Sequence, residues 1–156
     1  MQNHALSAAL ALLVLNAVPA FAASNYILSL DPVAYDNSTR DVIVGEGHLK
    51  ATLDGSTLTV SGDFSGLSSN ATAVKLGLGL DFGIPATEFF ANLTATPGQS
   101  GTISGTLTLT PAQAAALNKR QLFLELYSVK GTDGSLWGWF EPVKAMAAKA
   151  PAKGKK

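Results

Sequence analysis

Val74-Lys75-Leu76-Gly77-Leu78-Gly79-Leu80-Asp81-Phe82 is the stretch that decides the fold class. Every second residue is large and apolar and the residues between are Lys, Gly, Gly and Asp, which is the period of a β-strand with one buried face. A helix would gather its apolar residues at spacings of three and four, and these residues do not. The same alternation recurs in Leu49, Ala51 and Leu53, in Ile103, Gly105, Leu107 and Leu109, and in Leu122, Leu124 and Leu126. Asp54-Gly55, Pro97-Gly98 and Asp133-Gly134 separate the runs, and each dipeptide suits the backbone angles of a tight turn. Asp54-Gly55 therefore predicts a hairpin joining 47–53 to 57–64.

Working outward, strand-like runs lie near 26–30, 42–53, 57–64, 73–82, 87–96, 101–109, 121–129 and 135–141. One segment reads as helix: Thr110 can cap it, Pro111 suits its first position, and Ala112 to Leu117 are strong helix formers. The pattern predicts an all-β domain, an antiparallel Greek-key β-sandwich or barrel of about eight strands with one short connector helix.

The two ends of the chain differ from its body. From Ala5 to Val18 the residues are almost all Ala, Leu and Val, and Ala20-Phe21-Ala22 places small residues where a signal peptidase requires them. Residues 1–22 are expected to be a cleavable signal peptide, although the first four residues carry no Lys or Arg. The apolar run of about 14 residues is shorter than the ~20 needed to span a bilayer, so no transmembrane segment is expected after cleavage. The mature protein is expected to be secreted or periplasmic. Lys144, Lys149, Lys153, Lys155 and Lys156 fall in residues 144–156, a segment with no acidic residue and no apolar period, expected to be disordered. Residues 23–143 hold six basic and 11 acidic groups, so the body carries about −5 and the tail about +5. Lys149, Lys153, Lys155 and Lys156 are the candidate contacts to an anionic surface, with a purely solubilising role as the alternative. The body shows no basic face for specific nucleic-acid binding. Cysteine is absent, so packing alone must stabilise an exported domain.

Few residues offer catalytic chemistry. His48 is the single histidine after the leader, no Gly-x-Ser-x-Gly elbow presents a serine, and one imidazole cannot assemble a zinc or copper site. His48 alternates with Leu49 and Ala51 and is expected on the polar face. The aspartates lack the spacing of a calcium loop. No cofactor is expected, and the chain reads as a non-enzyme.

The order of these signals resembles the chordin-type CHRD domain over about residues 26–141. The residues that carry the likeness are Gly-Glu-Gly-His-Leu-Lys-Ala-Thr-Leu at 45–53, the stretch from Leu58 to Leu67 with its Phe-Ser-Gly-Leu, and Ala71-Thr72-Ala73. Gly-Thr-Ile-Ser-Gly-Thr-Leu-Thr-Leu-Thr-Pro-Ala-Gln at 101–113 and Gly-Ser-Leu-Trp-Gly-Trp-Phe at 134–140 complete it. The resemblance implies a β-sandwich module of exported proteins. Members commonly carry a His-Ile-His motif where this chain has Lys75, Leu76 and Gly77, and a histidine where it has Tyr127, so three imidazoles that could together have formed a metal site are absent here.

Alternation also singles out Trp137 and Trp139. Leu136, Gly138 and Phe140 share one face of the last strand and the two indoles share the other. If the leucine side is the core, Trp137 and Trp139 are exposed beside Phe123 and Tyr127 of the preceding strand, a platform for stacking on sugars or burying a partner. The alternative is that the 83–92 segment, with Phe89 and Phe90, covers them. The expected function is a binding, matrix or structural component with a protein or polysaccharide partner. A small-ligand carrier or a hydrolase with an unrecognised pocket is the alternative.

Overall fold

The computed structural model describes residues 23–143 apart from 86 and 87. The leader assigned to 1–22 and the lysine-rich tail, including Lys149, Lys153, Lys155 and Lys156, lie outside the described residues. In chain order the elements are β1 (Ser24–Pro32), β2 (Glu46–Asp54), β3 (Thr57–Ser65), β4 (Ala71–Leu78), β5 (Phe89–Ala95), β6 (Gly101–Thr108), α1 (Pro111–Asn118), β7 (Leu122–Ser128), β8 (Leu136–Trp139) and β9 (Glu141–Pro142).

The strands neighbour one another in the order β2-β3-β6-β5-β4-β7-β8-β1, and β1 pairs back onto β2, closing an eight-stranded barrel. Every pairing is antiparallel. β7 returns to lie beside β4 at the head of the β4-β5-β6 meander, which is the Greek-key arrangement. β9 prolongs β8 along β1 in the same register, with Trp137 opposite Asp31 and Glu141 opposite Ile27.

Closure depends on two bent strands. β1 pairs with β2 from Ser24 to Leu30 and with β8 only at Asp31 and Pro32. β5 pairs with β4 from Phe89 to Leu93 and with β6 only at Thr94 and Ala95. Two three-stranded sheets, β2-β3-β6 and β4-β7-β8, thus face each other and share β1 and β5 at the corners, as strands do when they pass from one packed sheet to the other. This reconciles the sandwich and barrel readings of the sequence.

The inward faces of both sheets fill the interior. Tyr26, Leu28, Leu30, Leu58, Leu76, Ile103, Leu122, Leu124, Leu126, Leu136 and Phe140 are all essentially inaccessible, each burial stabilising by about 1.5–3 kcal/mol before chain entropy is counted. Leu117 of α1 joins this core from one end of the barrel. The helix is capped as its sequence foretold: the Thr110 side chain accepts from the Gln113 backbone amide, and the Gln113 side-chain oxygen accepts from the Thr110 backbone amide. The Asp54-Gly55 hairpin also forms, with Gly55 at φ +59, the left-handed angle its position requires. Glycine serves a different end at Gly138. A side-chain methyl there would strike the Ser29 carbonyl and come within 2.8 Å of Leu30 Cδ2, so β1 can approach β8 only because position 138 has no side chain.

One part of the deciding stretch departs from expectation. β4 ends at Leu78, and Leu80 and Phe82 are 73% and 43% exposed. The alternation continues in composition, but Asp81 and Gly83 turn the chain: the Asp81 carboxylate accepts from the Phe82 amide, Ile84 N–H donates to the Asp81 carbonyl, and Gly83 takes φ +79. Turn chemistry outweighs apolar period here.

Gly138→Ala should destabilise the protein by about 2–3 kcal/mol, the range of overpacked cores, whereas Gly55→Ala, with open space around its Cα, should cost only about 1–2 kcal/mol of left-handed strain. Urea unfolding of the two variants checks the order; equal or reversed losses would place β1 away from β8.

Candidate ligand cleft on the outer aromatic face

Once Leu122, Leu124 and Leu126 of β7 point inward, strand parity sends Phe123, Glu125 and Tyr127 outward. In β8 the same rule puts Leu136, Gly138 and Phe140 inside and Trp137 and Trp139 outside. Register then groups them: Phe123 lies opposite Trp139 and Glu125 opposite Trp137 on one side, and Gly77 lies opposite Phe123 and Lys75 opposite Glu125 on the other.

The expected four-residue platform is divided. Phe123 is fully buried and Trp139 is 9% exposed, whereas Trp137 and Tyr127 are half-buried. Phe123 sits in the space left by Gly77, where a Cβ would come within 2.6 Å of its ring, between Phe89 at 5.7 Å and Trp139 at 5.8 Å. Trp139 is covered by Phe82 at 5.8 Å and meets Trp137 edge-on at 5.1 Å. Phe123 and Trp139 are therefore not surface contacts, because Phe82 and Phe89 remove them from water and large apolar rings gain most from such cover. The register shift between Leu76 and Gly77 allows this. It turns Phe89 onto the outer face while Phe90 packs against the core, as a bulge re-aims side chains. Among the described residues, the Trp139 Nε1 and Arg120 Nε atoms are buried without a hydrogen-bond partner.

Trp137, Tyr127, Phe89, Glu125 and Asp133 remain around an open cleft of about 560 Å³. Glu125 is buried at its floor, where the Tyr127 hydroxyl donates to Glu125 Oε2 at 3.0 Å. Burial raises the Glu125 pKa, partly offset by the Tyr127 bond and by the Lys75 charge. Burial and then the Glu125 charge push the Tyr127 phenol well above its ordinary value, so it stays a donor through neutral pH. Lys75 Nζ lies 4.5 Å from the Tyr127 ring centre and 5.3 Å from that of Phe89, a cation over two aromatic faces.

The loop that carries Asp133 is fixed from below. Ser69 and Ser135 both donate to the Ser128 hydroxyl, at 3.1 and 2.8 Å, and the Gly131 amide donates to it as well. Gly134, at φ +113, lies directly against Glu125 Oε1, where any side chain would collide with the carboxyl.

Lys75, Gly77 and Tyr127 share this face and supply a cation, a gap and a phenol. His48 lies on the polar face of β2, exposed as expected, opposite Ser29 and Asp63 in the other sheet. Glu125 is the residue sequence reasoning missed, although the signal was present: it sits between Phe123 and Tyr127 at the same parity in Leu-Phe-Leu-Glu-Leu-Tyr-Ser. Compared with models of protein families, with curated proteins and with solved structures, the chain matches none.

Replacing Trp139 by Gln should cost about 3 kcal/mol or more, as for a core aromatic, and Trp137→Gln about 1 kcal/mol. Denaturant melts of the two single variants check this, and equal costs would mean that the indoles share one environment. Glu125 supplies a second test. Because its folded-state pKa is raised, the folded protein holds this proton more tightly than the unfolded chain. Its stabilising contribution is complete at low pH and is lost as pH rises through the raised value. Thermal melts between about pH 4 and 8 should therefore show wild type losing stability relative to Glu125→Gln as pH rises; a difference that stays flat would refute the buried carboxyl.

Proposed function

We propose that this chain is an exported, non-enzymatic binding protein of the chordin type whose ligand is a saccharide chain held in the Trp137 cleft. The observation that carries the reading is the half-buried Trp137 ring lining one cleft with its cross-strand neighbour, the buried Glu125, and with Tyr127 and Asp133. A pyranose presents an apolar face that stacks on an indole and a rim of hydroxyls that donate to carboxylates and accept from phenols. The volume of about 560 Å³ suits one or two sugar units rather than a whole polymer. The cleft is open at the side, so a long chain can pass through it. The order of sequence motifs shared with chordin-type domains and the signal-peptide pattern of residues 1–22 support the exported, matrix-facing setting, and the five lysines from 144 onward support attachment to an anionic surface.

A hydrolase is the second reading, favoured by one observation: Glu125, with its raised pKa, and Asp133 line the same cleft, and a raised carboxyl beside a second carboxylate is the pair glycosidases use.

Calorimetric titration with cellohexaose and chitohexaose tests both. Binding of at least one probe is expected, weakened about tenfold or more by Trp137→Ala and by Glu125→Gln, with no release of reducing ends. Release of reducing ends that is lost in Glu125→Gln would establish the hydrolase instead. No heat with either probe, or heat indifferent to both substitutions, would remove the cleft as a saccharide seat.

A further inference from the structure

The turn that ends β4 presents apolar side chains where a turn ordinarily presents polar ones. Leu80, Phe82 and Ile84 are 73%, 43% and 52% exposed within five residues. Single exposed leucines are commonplace, but three aliphatic or aromatic side chains on one turn are a concentrated patch. The turn is not slack. Leu80 N–H donates to the Ile84 carbonyl at 3.0 Å and Ile84 N–H to the Asp81 carbonyl at 3.1 Å. Gln121 anchors it from the strand beside it: its side-chain amide donates to the Leu80 carbonyl at 3.0 Å and its own carbonyl accepts from the Gly79 amide at 2.7 Å. The fold thus holds the apolar tip outward.

Two further observations say what the tip meets. Phe82 packs on Trp139 and beneath the Arg120 guanidinium, which lies 3.7 Å from its ring centre. Those two neighbours carry buried donors with no acceptor among the described residues, Trp139 Nε1 and Arg120 Nε. Such donors are costly to leave unpaired, and an outward tilt of Phe82 would open them to an anionic oxygen. The described part of the chain also ends near this turn, where the exposed Asp81 and Glu141 carboxylates accompany Arg120. Arg120 pairs with Glu141 at 3.0 Å, and the last described residue, Val143, follows two positions later and is itself half-exposed. The sequence that continues from Val143 contributes five lysines and no acidic group.

We infer that this end of the barrel docks on an anionic lipid bilayer. Leu80, Phe82 and Ile84 enter the boundary between headgroups and acyl chains, while Arg120 and the lysine-rich segment hold the phosphates. Stable attachment to a bilayer takes two weak signals acting together, and an apolar tip in the same chain as a polybasic segment provides both. An acidic polysaccharide would attract the lysines equally, but it gives the aliphatic Leu80 and Ile84 side chains no partner. The inference rests on the exposed turn and the charge that follows Val143, not on the Trp137 cleft, which adjoins the turn at Pro85.

Flotation with vesicles tests it, using the protein with its lysine-rich segment intact. Vesicles of phosphatidylglycerol and phosphatidylcholine in equal amounts should carry the protein, vesicles of phosphatidylcholine alone should not, and binding should fall as salt screens the charges. Replacing Leu80, Phe82 and Ile84 together by Ser should weaken binding about tenfold or more, and so should removing 144–156. A Phe82→Trp reporter should be quenched by lipids brominated in their acyl chains. Circular dichroism melts confirm that each variant is folded, and Ile84→Ser alone, a surface change, should give a smaller loss in the same direction. Binding that ignores the triple substitution, no binding to the anionic vesicles, or binding to dextran sulfate in place of vesicles would each overturn the inference.

Discussion

β1 and β5 each belong to both sheets, and their bends fix everything else. Two three-stranded sheets facing each other would leave four edges of unpaired N–H and C=O groups, which natural sheets avoid exposing. Sharing β1 and β5 removes those edges, but only if the backbones come close enough at the corners. At the β1 corner that approach depends on the bare Cα of Gly138, against which Ser29 and Leu30 pack. Register follows from closure: with β1 placed against both β2 and β8, a slip of one residue would turn every leucine of a strand from the core to water.

The filled interior then determines where a ligand can sit. Leucine, isoleucine, tyrosine and phenylalanine side chains occupy the space between the sheets, so the barrel has no use as a container, unlike small barrels that hold a ligand within. Chemistry is displaced to the outer face of β4, β7 and β8. That face would be a broad aromatic surface if it were bare, but Phe82 and Phe89 cover its centre and leave a rim. Trp137 and Tyr127 stay half in water at that rim, beside the buried Glu125. Burial of Phe123 and Trp139 makes the floor rigid, and the serine hydroxyls at 69, 128 and 135 hold the neighbouring loop.

Much of this was legible in the sequence because it depends on local rules. Period-two alternation located all eight barrel strands and chose the faces of β7 and β8, and the Thr110 cap and Pro111 marked α1. What the sequence hid was non-local. Alternation cannot show that Asp81 and Gly83 end β4 after Leu78 and leave Leu80 and Phe82 outside the sheet. Nor can it show the bulge that separates Phe89 from Phe90, which decides that one ring covers Phe123 while its neighbour joins the core. Glu125 reads in the sequence as one more polar residue in a strand; only its burial in the folded barrel raises its pKa. The distribution of charge, by contrast, was plain: a net acidic body followed by a basic segment.

Closure at the two corners is the claim on which the rest depends, and cross-strand nuclear Overhauser effects measure it directly. The account predicts backbone contacts between Asp31 and Trp137, between Ile27 and Glu141, and between Ala95 and Ile103, in the registers described. Strong contacts within β2-β3-β6 and β4-β7-β8, with none across either corner, would show an open sandwich and contradict it.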